Sequence, residues 1–297
     1  MINKIIKIAR NFYLYQEDRF PIIILTFSLL PAILSSGAIT SSHLTIFRVV
    51  LVLLASIAYL LHIRIIDEYR DFSHDNMHHI TRPVQAGVIS KGELFYVDIL
   101  AVSILLAVAV TAGLFSFIIS IIMLGYSYFA GKEFFIGEKL RNHFFIYNSV
   151  NLIQMFLMQV FVYTVFTNSL LLNNLILAHF LFTSVGTIIF EFVRKLKIPG
   201  DDGSGRDTYT WYLGFSKSII VHQALLVLDT ALFFWIITII SSNNILLYFG
   251  LTLTILTSFS TLIHRIKKTH KTDQLMQLSF LLLYMIFNVS IYFLAIN

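Results

Sequence analysis

Four carboxylates crowd into nine residues at Asp67, Glu68, Asp71 and Asp75. If the apolar stretch before them continues as a helix, Asp67, Asp71 and Asp75 recur at i, i+4 and i+8 and share one face. Like charges stacked this way repel, so the arrangement calls for a cation. Mg²⁺ suits it, because it prefers oxygen ligands, keeps several waters and is held by one or two carboxylates together with substrate phosphate oxygens. His74, His78 and His79 follow closely and offer a transition-metal alternative, although solvating the loop is the expected role for imidazoles there.

A second acidic group, Glu191, Asp201, Asp202 and Asp207, is interleaved with Arg194, Lys195, Lys197 and Arg206 and with Gly200, Gly203 and Gly205. The two clusters together hold eight of the 16 Asp and Glu residues, a concentration unlike that of an ordinary solvated surface. Either cluster alone reads equally well as a polar helix end that keeps a loop in water. A flexible loop of alternating acids and bases could also hold a metal-bound diphosphate, its cations neutralising charge on the departing oxygens. Two such clusters at one membrane face make a two-sided clamp.

The elements that must position these groups are membrane spans. The chain has 297 residues, 57% hydrophobic and 12% charged, where a soluble domain has roughly 45–50% apolar and about 25% charged residues. A soluble globule is excluded. The absence of Cys excludes disulfides, iron–sulfur clusters and a thiolate nucleophile. Nine stretches approach the roughly 20 apolar residues that cross a bilayer; they begin near Phe20, Leu44, Glu93, Leu114, Phe144, Leu170, Ser218, Ile245 and Leu275. The connections alternate between short segments without Lys or Arg and long basic ones, and every Lys and Arg except Arg48 falls on the basic side. By the positive-inside rule that side is cytoplasmic, with the N-terminus inside. The net charge of +5 is then a topology signal and not a nucleic-acid footprint. Residues 1–19 read as an interfacial helix, because apolar residues recur there at helical spacing with Lys4, Lys7 and Arg10 on other faces. No composition break marks a second domain, so residues 1–297 are read as a single all-α bundle of nine transmembrane helices. Its motif loops, 64–92 and 191–217, lie on the cytoplasmic side.

The first motif resembles that of the UbiA superfamily of intramembrane prenyltransferases. Its NDxxDxxxD signature and following Arg-Pro-x-x-x-Gly stretch lie without gaps on Asp67 to Asp75 and on Arg82-Pro83-Val84-Gln85-Ala86-Gly87. Asp71 and Asp75 match outright, whereas Asp67 stands for the usual Asn and Glu68 for the usual Asp. The DxxxDxxxGxx[ST] signature resembles Lys197 to Thr208, with Asp201, Gly205 and Thr208 in register and Lys197 where an acid is expected. The resemblance implies Mg²⁺-dependent transfer of an isoprenyl group from its diphosphate to a lipophilic or aromatic acceptor in the membrane. Asp71 and Asp75 would be catalytic, with metal ligands drawn from Asp67, Glu68, Asp71, Asp75, Asp201 and Glu191 or Asp202. Arg70, Arg82, Lys132, Arg194, Lys195 and Lys197 would contact diphosphate. The expected partners are the isoprenyl diphosphate donor and membrane lipids. The active site would face the cytoplasm, and the membrane would be the plasma membrane if the source is prokaryotic. Two alternatives remain: a membrane transporter, or a non-catalytic homologue that binds polyisoprenoids, suggested by Lys197.

Within the spans, Asn148, Asn151 and Gln154 form a polar stripe. Interhelical hydrogen bonding, commonly about 0.6 kcal/mol per contact, explains it as well as an acceptor pocket does. Asp229 must face protein, water or a partner, since an Asp at a helix centre costs roughly 2.5–3.5 kcal/mol on insertion scales.

Overall fold

The computed structural model describes residues 2–40, 44–170, 172–201, 208–241 and 244–297. Among the described residues all regular structure is helical: α1 (Ile2–Arg19), α2 (Ile22–Thr40), α3 (Ile46–Arg70), α4 (Phe72–His78), α5 (Lys91–Ala112), α6 (Leu114–Gly131), α7 (Gly137–Arg141), α8 (Phe144–Thr167), α9 (Asn174–Arg194), α10 (Tyr209–Leu213), α11 (Phe215–Ile240), α12 (Asn244–Lys267) and α13 (His270–Ile296). Nine of these, α2, α3, α5, α6, α8, α9, α11, α12 and α13, are long and apolar enough to cross a membrane. The protein is an integral, multi-pass membrane protein. The expected starts agree to within a few residues, except that α13 begins at His270 and not near Leu275. The Thr269 side chain accepts the Thr272 N–H there, and the Thr272 side chain caps Thr269 in return, so the cap starts the helix before the apolar run does.

The chain packs as two compact units, Met1–Ile33 with His43–Leu170 and Leu34–Ser42 with Leu171–Asn297. In the first unit α3 packs against α5, α6 and α8, and α6 also packs against α5 and α8. A core cluster joins Tyr15 and Phe20 to Leu61, Ile65, Val84, Ile89 and Leu94. Tyr15 thereby draws α1 onto the unit, while Ile5, Ile6, Tyr13 and Leu14 of the same helix stay exposed.

Glu68 closes this contact. Its side chain is 1% exposed, and its Oε1 accepts hydrogen bonds from Arg64 at 2.9 Å, Arg19 at 3.0 Å and the Tyr15 hydroxyl at 3.4 Å. Burial, and then the Glu68 charge, raise the Tyr15 pKa, so the hydroxyl stays a donor. A carboxylate expected among the metal ligands is engaged here in latching α1 to α3.

In the second unit α9 packs against α11 and α13, and α12 against α11 and α13. Phe233 and Phe287 stack at 3.9 Å and 4° in its core, with Phe182 and Tyr284 alongside. Asp229 of α11 is fully buried, and neither of its oxygens has a hydrogen-bond partner among the described residues.

Glu68→Ala should strand the Arg19 and Arg64 charges. Both reach solvent in part, so the expected loss is near the low end of that for a broken buried pair, about 3 kcal/mol. Thermal unfolding in detergent would show this as a clear drop in Tm, and an unchanged Tm would mean the latch contributes nothing.

Candidate functional site

Four neighbouring parts of the first unit build the site: the end of α3, α4, the loop to α5, and the segment joining α6 to α8. Helix α3 ends at Arg70 and α4 starts at Phe72, so the single helix expected through Asp75 is interrupted at Asp71. The i→i−4 ladder nevertheless runs across the break: the Asp71 N–H donates to Asp67 O at 2.8 Å and the Asp75 N–H to Asp71 O at 2.9 Å. The carboxylates therefore remain roughly one turn apart.

The cation that such crowding requires is supplied by the chain itself. Arg70 donates through both arms of its fork to Asp71 at 3.0 Å and lies 2.8 Å from Asp67 Oδ1. It also reaches Asn151 Oδ1 at 3.5 Å and sits 5.5 Å from the centre of the Tyr147 ring. Asn151, read from sequence either as an interhelical hydrogen-bonding residue or as part of an acceptor pocket, meets the acidic cluster through Arg70. Asn148 donates to Phe144 O within its own helix at 2.7 Å, and Gln154 is 3% exposed.

Asp75 is 2% exposed and ion-paired with Arg82. Arg82 sits in a loop anchored by buried Val84 and Ile89. Ala86 N–H bonds to Arg82 O, Val88 N–H bonds to Pro83 O, and Gly87 turns at φ 74°. Ser90 then opens α5 with a capping box to Glu93.

Past α6, Lys132 caps the helix and Glu133, Phe134 and Phe135 follow at φ of 48°, 53° and 59°. Left-handed backbone costs L residues roughly 1–2 kcal/mol each. Arg141 offsets this by gripping both oxygens of Glu133 at 2.6 and 2.7 Å, while Phe134 packs edge-on against Tyr126 at 5.4 Å. The Glu133 hydrogen bonds raise the Arg141 pKa, and Arg141 also lies within electrostatic reach of Asp71 and Tyr147. Sequence reasoning missed Arg141, Glu133 and Tyr147. The only signal for the first two was an acid and a base eight residues apart in one polar loop.

The donor set fits Mg²⁺. Asp67 and Asp71 keep side-chain exposures of 27% and 37% despite sharing Arg70, which leaves carboxylate edges open to a hydrated, oxygen-seeking ion. The histidines are also brought together: His74 lies 4.6 Å from His78 and 6.0 Å from His79, ring centre to ring centre.

In the second unit Glu191 holds Arg194 at 2.8 Å and Lys195 at 2.9 Å. Phe192 stacks on Tyr209 at 4.3 Å, and burial pushes the Tyr209 hydroxyl up to about 12. The backbone of Lys197 is fixed by Thr210 through two 2.9 Å hydrogen bonds, and Asp201 lies 3.2 Å from His270. Asp202, Gly205, Arg206 and Asp207 lie outside the described residues.

An all-helical membrane protein with an arginine-bridged acidic turn is the class this fold and site define. No family sequence model matches the chain, and no curated protein matches it. Solved structures do. A UbiA homologue from Aeropyrum pernix K1 aligns with a TM-score of 0.62 at 14% identity, over 86% of this chain and 94% of its own. A digeranylgeranylglyceryl phosphate synthase aligns at 0.57 and 16%, over 94% and 99%. A UbiA homologue from Archaeoglobus fulgidus bound to DMAPP and Mg²⁺ aligns at 0.55 and 16%, over 95% and 98%. The fold is that of the UbiA homologues.

Arg70→Ala should destabilise the protein by about 1.5–3 kcal/mol, the range for hydrogen bonds to charged groups. Arg70→Lys should recover only part of it, because an ammonium cannot fork across Asp67 and Asp71. Equal unfolding midpoints for Arg70→Lys and wild type would show that the fork geometry is immaterial.

Proposed function

We propose that the chain is a prenyltransferase of the UbiA superfamily that transfers an isoprenyl group from its diphosphate to a lipophilic or aromatic acceptor, with Mg²⁺ as cofactor. The observation that carries this reading is the paired arrangement of Asp67 and Asp71 about Arg70, with Asp75 holding Arg82 one turn on, in a chain with the fold of homologues solved with DMAPP and Mg²⁺. The near-absence of Lys and Arg from alternate connections supports placing this turn on the cytoplasmic side.

Asp67 and Asp71 would hold the ion. Asp75, already paired, would hold Arg82 with N–H groups to spare for the donor's diphosphate, while Arg70 and Arg141 would set the charge around Asp71. Once bound, the ion supplies Lewis-acid stabilisation of the negative charge that develops on the leaving diphosphate. The arginines add fixed positive charge at the same oxygens without reorganising. The ring faces of residues such as Tyr147 attract cations and suit an allylic cation, which the acceptor then captures. In the second motif Lys197 and Asp201 remain the candidates for donor contact. A second reading, a non-catalytic polyisoprenoid binder, is favoured by Lys197 in place of an acid and by Arg70 occupying the position between Asp67 and Asp71.

Diphosphate release from DMAPP and geranyl diphosphate by the purified protein, with membrane lipid extract as the acceptor source, separates the two. Release should require Mg²⁺, stop with EDTA and fall roughly 100-fold or more in Asp71→Ala, the scale seen when one transition-state contact is lost. Folded protein that binds donor yet releases nothing would establish the second reading. Release insensitive to both EDTA and Asp71→Ala would refute the site.

A further inference from the structure

His74, Asp75 and His79 each place one ligand atom so that all three lie within 4.8 Å of one another. Asp75 is buried, and both imidazoles are half-buried. We propose that these three residues bind a borderline divalent transition cation of the Zn²⁺ or Co²⁺ type, separate from the Mg²⁺ assigned to Asp67 and Asp71.

The donor chemistry makes the distinction. Asp67 and Asp71 offer oxygen only, the preference of Mg²⁺, whereas two imidazoles and a carboxylate form the two-His, one-carboxylate set that suits Zn²⁺, Co²⁺, Mn²⁺ or Fe²⁺. The backbone holds this set in place. The His79 N–H donates to the Asp75 backbone O at 2.8 Å, so the two residues stand one helical turn apart, and His74 is the neighbour of Asp75 in sequence.

Metal–ligand bonds of about 2.0–2.2 Å in a tetrahedron put ligand atoms roughly 3.5 Å apart. Binding would draw the three ligand atoms together over the remaining distance. Arg82 pairs with Asp75 through Oδ2, and a carboxylate has further lone-pair sites with which to take a metal ion. His78, tilted against His74 at 4.6 Å, or water completes the coordination. Asp75 belongs to both the cation set and the Arg82 pair, so occupancy would also set the position of that arginine. The proposal stands on donor geometry and does not depend on the prenyl-transfer reading.

The test uses tag-free, EDTA-treated, full-length protein titrated with Co²⁺. Wild type should bind one equivalent and show the visible d–d absorption of a four- or five-coordinate ion, displaced by Zn²⁺ but not by Mg²⁺. His74→Ala and His79→Ala should each weaken binding by about 100-fold, the upper end of what even outer-shell changes cost, with unfolding midpoints near wild type. Asp71→Ala should keep the spectrum. Absence of the d–d bands, or bands unchanged in both His variants, would overturn the proposal. Mg²⁺-dependent diphosphate release is measured on the same samples: its survival alongside a missing Co²⁺ spectrum sinks this site alone, and its absence alongside an intact spectrum sinks only the enzymatic reading.

Discussion

Like-charge repulsion is the constraint on which the first unit is organised. Four carboxylates over one short stretch would unwind the end of α3 unless each met a cation, and each does: Asp67 and Asp71 share Arg70, Asp75 has Arg82, and Glu68 has Arg19 and Arg64. Three of those four arginines draw in another segment, Arg64 pairing within α3 itself. Arg19 brings α1, Arg82 brings the loop ahead of α5, and Arg70 brings Asn151 and Tyr147 of α8. Charge balance and tertiary structure are the same set of contacts here.

That duality explains what the sequence could and could not reveal. The spans were legible because about twenty apolar residues have few alternatives to a membrane helix, and most starts fall close to where hydropathy puts them. The site was legible as a list of acids, because register places Asp71 and Asp75 regardless of context. Which acid serves which purpose was not legible. Glu68 sits between two of the acids in sequence, but a helix turns by about 100° per residue, so it faces α1 and its side chain is engaged in structure. Arg141 was hidden for a different reason: its grip on Glu133, within electrostatic reach of Asp71, follows three left-handed residues, and Glu133, Phe134 and Phe135 carry no glycine to announce such a turn.

The second unit handles charge differently. Glu191 collects both Arg194 and Lys195 within one helix end, so cations expected at the donor are first of all partners of a neighbouring acid. Lys197 lies beyond this group, its backbone tied to Thr210. Asp229 stands at the other extreme, a buried carboxyl group without a hydrogen-bond partner among the described residues. Leaving it there costs the fold free energy, in contrast to the ion-paired acids of the first unit.

Helix length has a consequence for where the chemistry sits. At 1.5 Å per residue, the 25 residues of α3 span roughly 37 Å, and the 18 of α6 roughly 27 Å, against a hydrocarbon thickness of about 30 Å. Helix α6 is matched to the bilayer, whereas α3, standing upright, overshoots it by more than a turn, and the overshooting turn is the one that carries Asp67, Glu68 and Arg70. Span length therefore works as a depth gauge. A helix of this length can carry its terminal carboxylates past the hydrocarbon to where water reaches them, while the apolar remainder of the same helix stays at hydrocarbon depth.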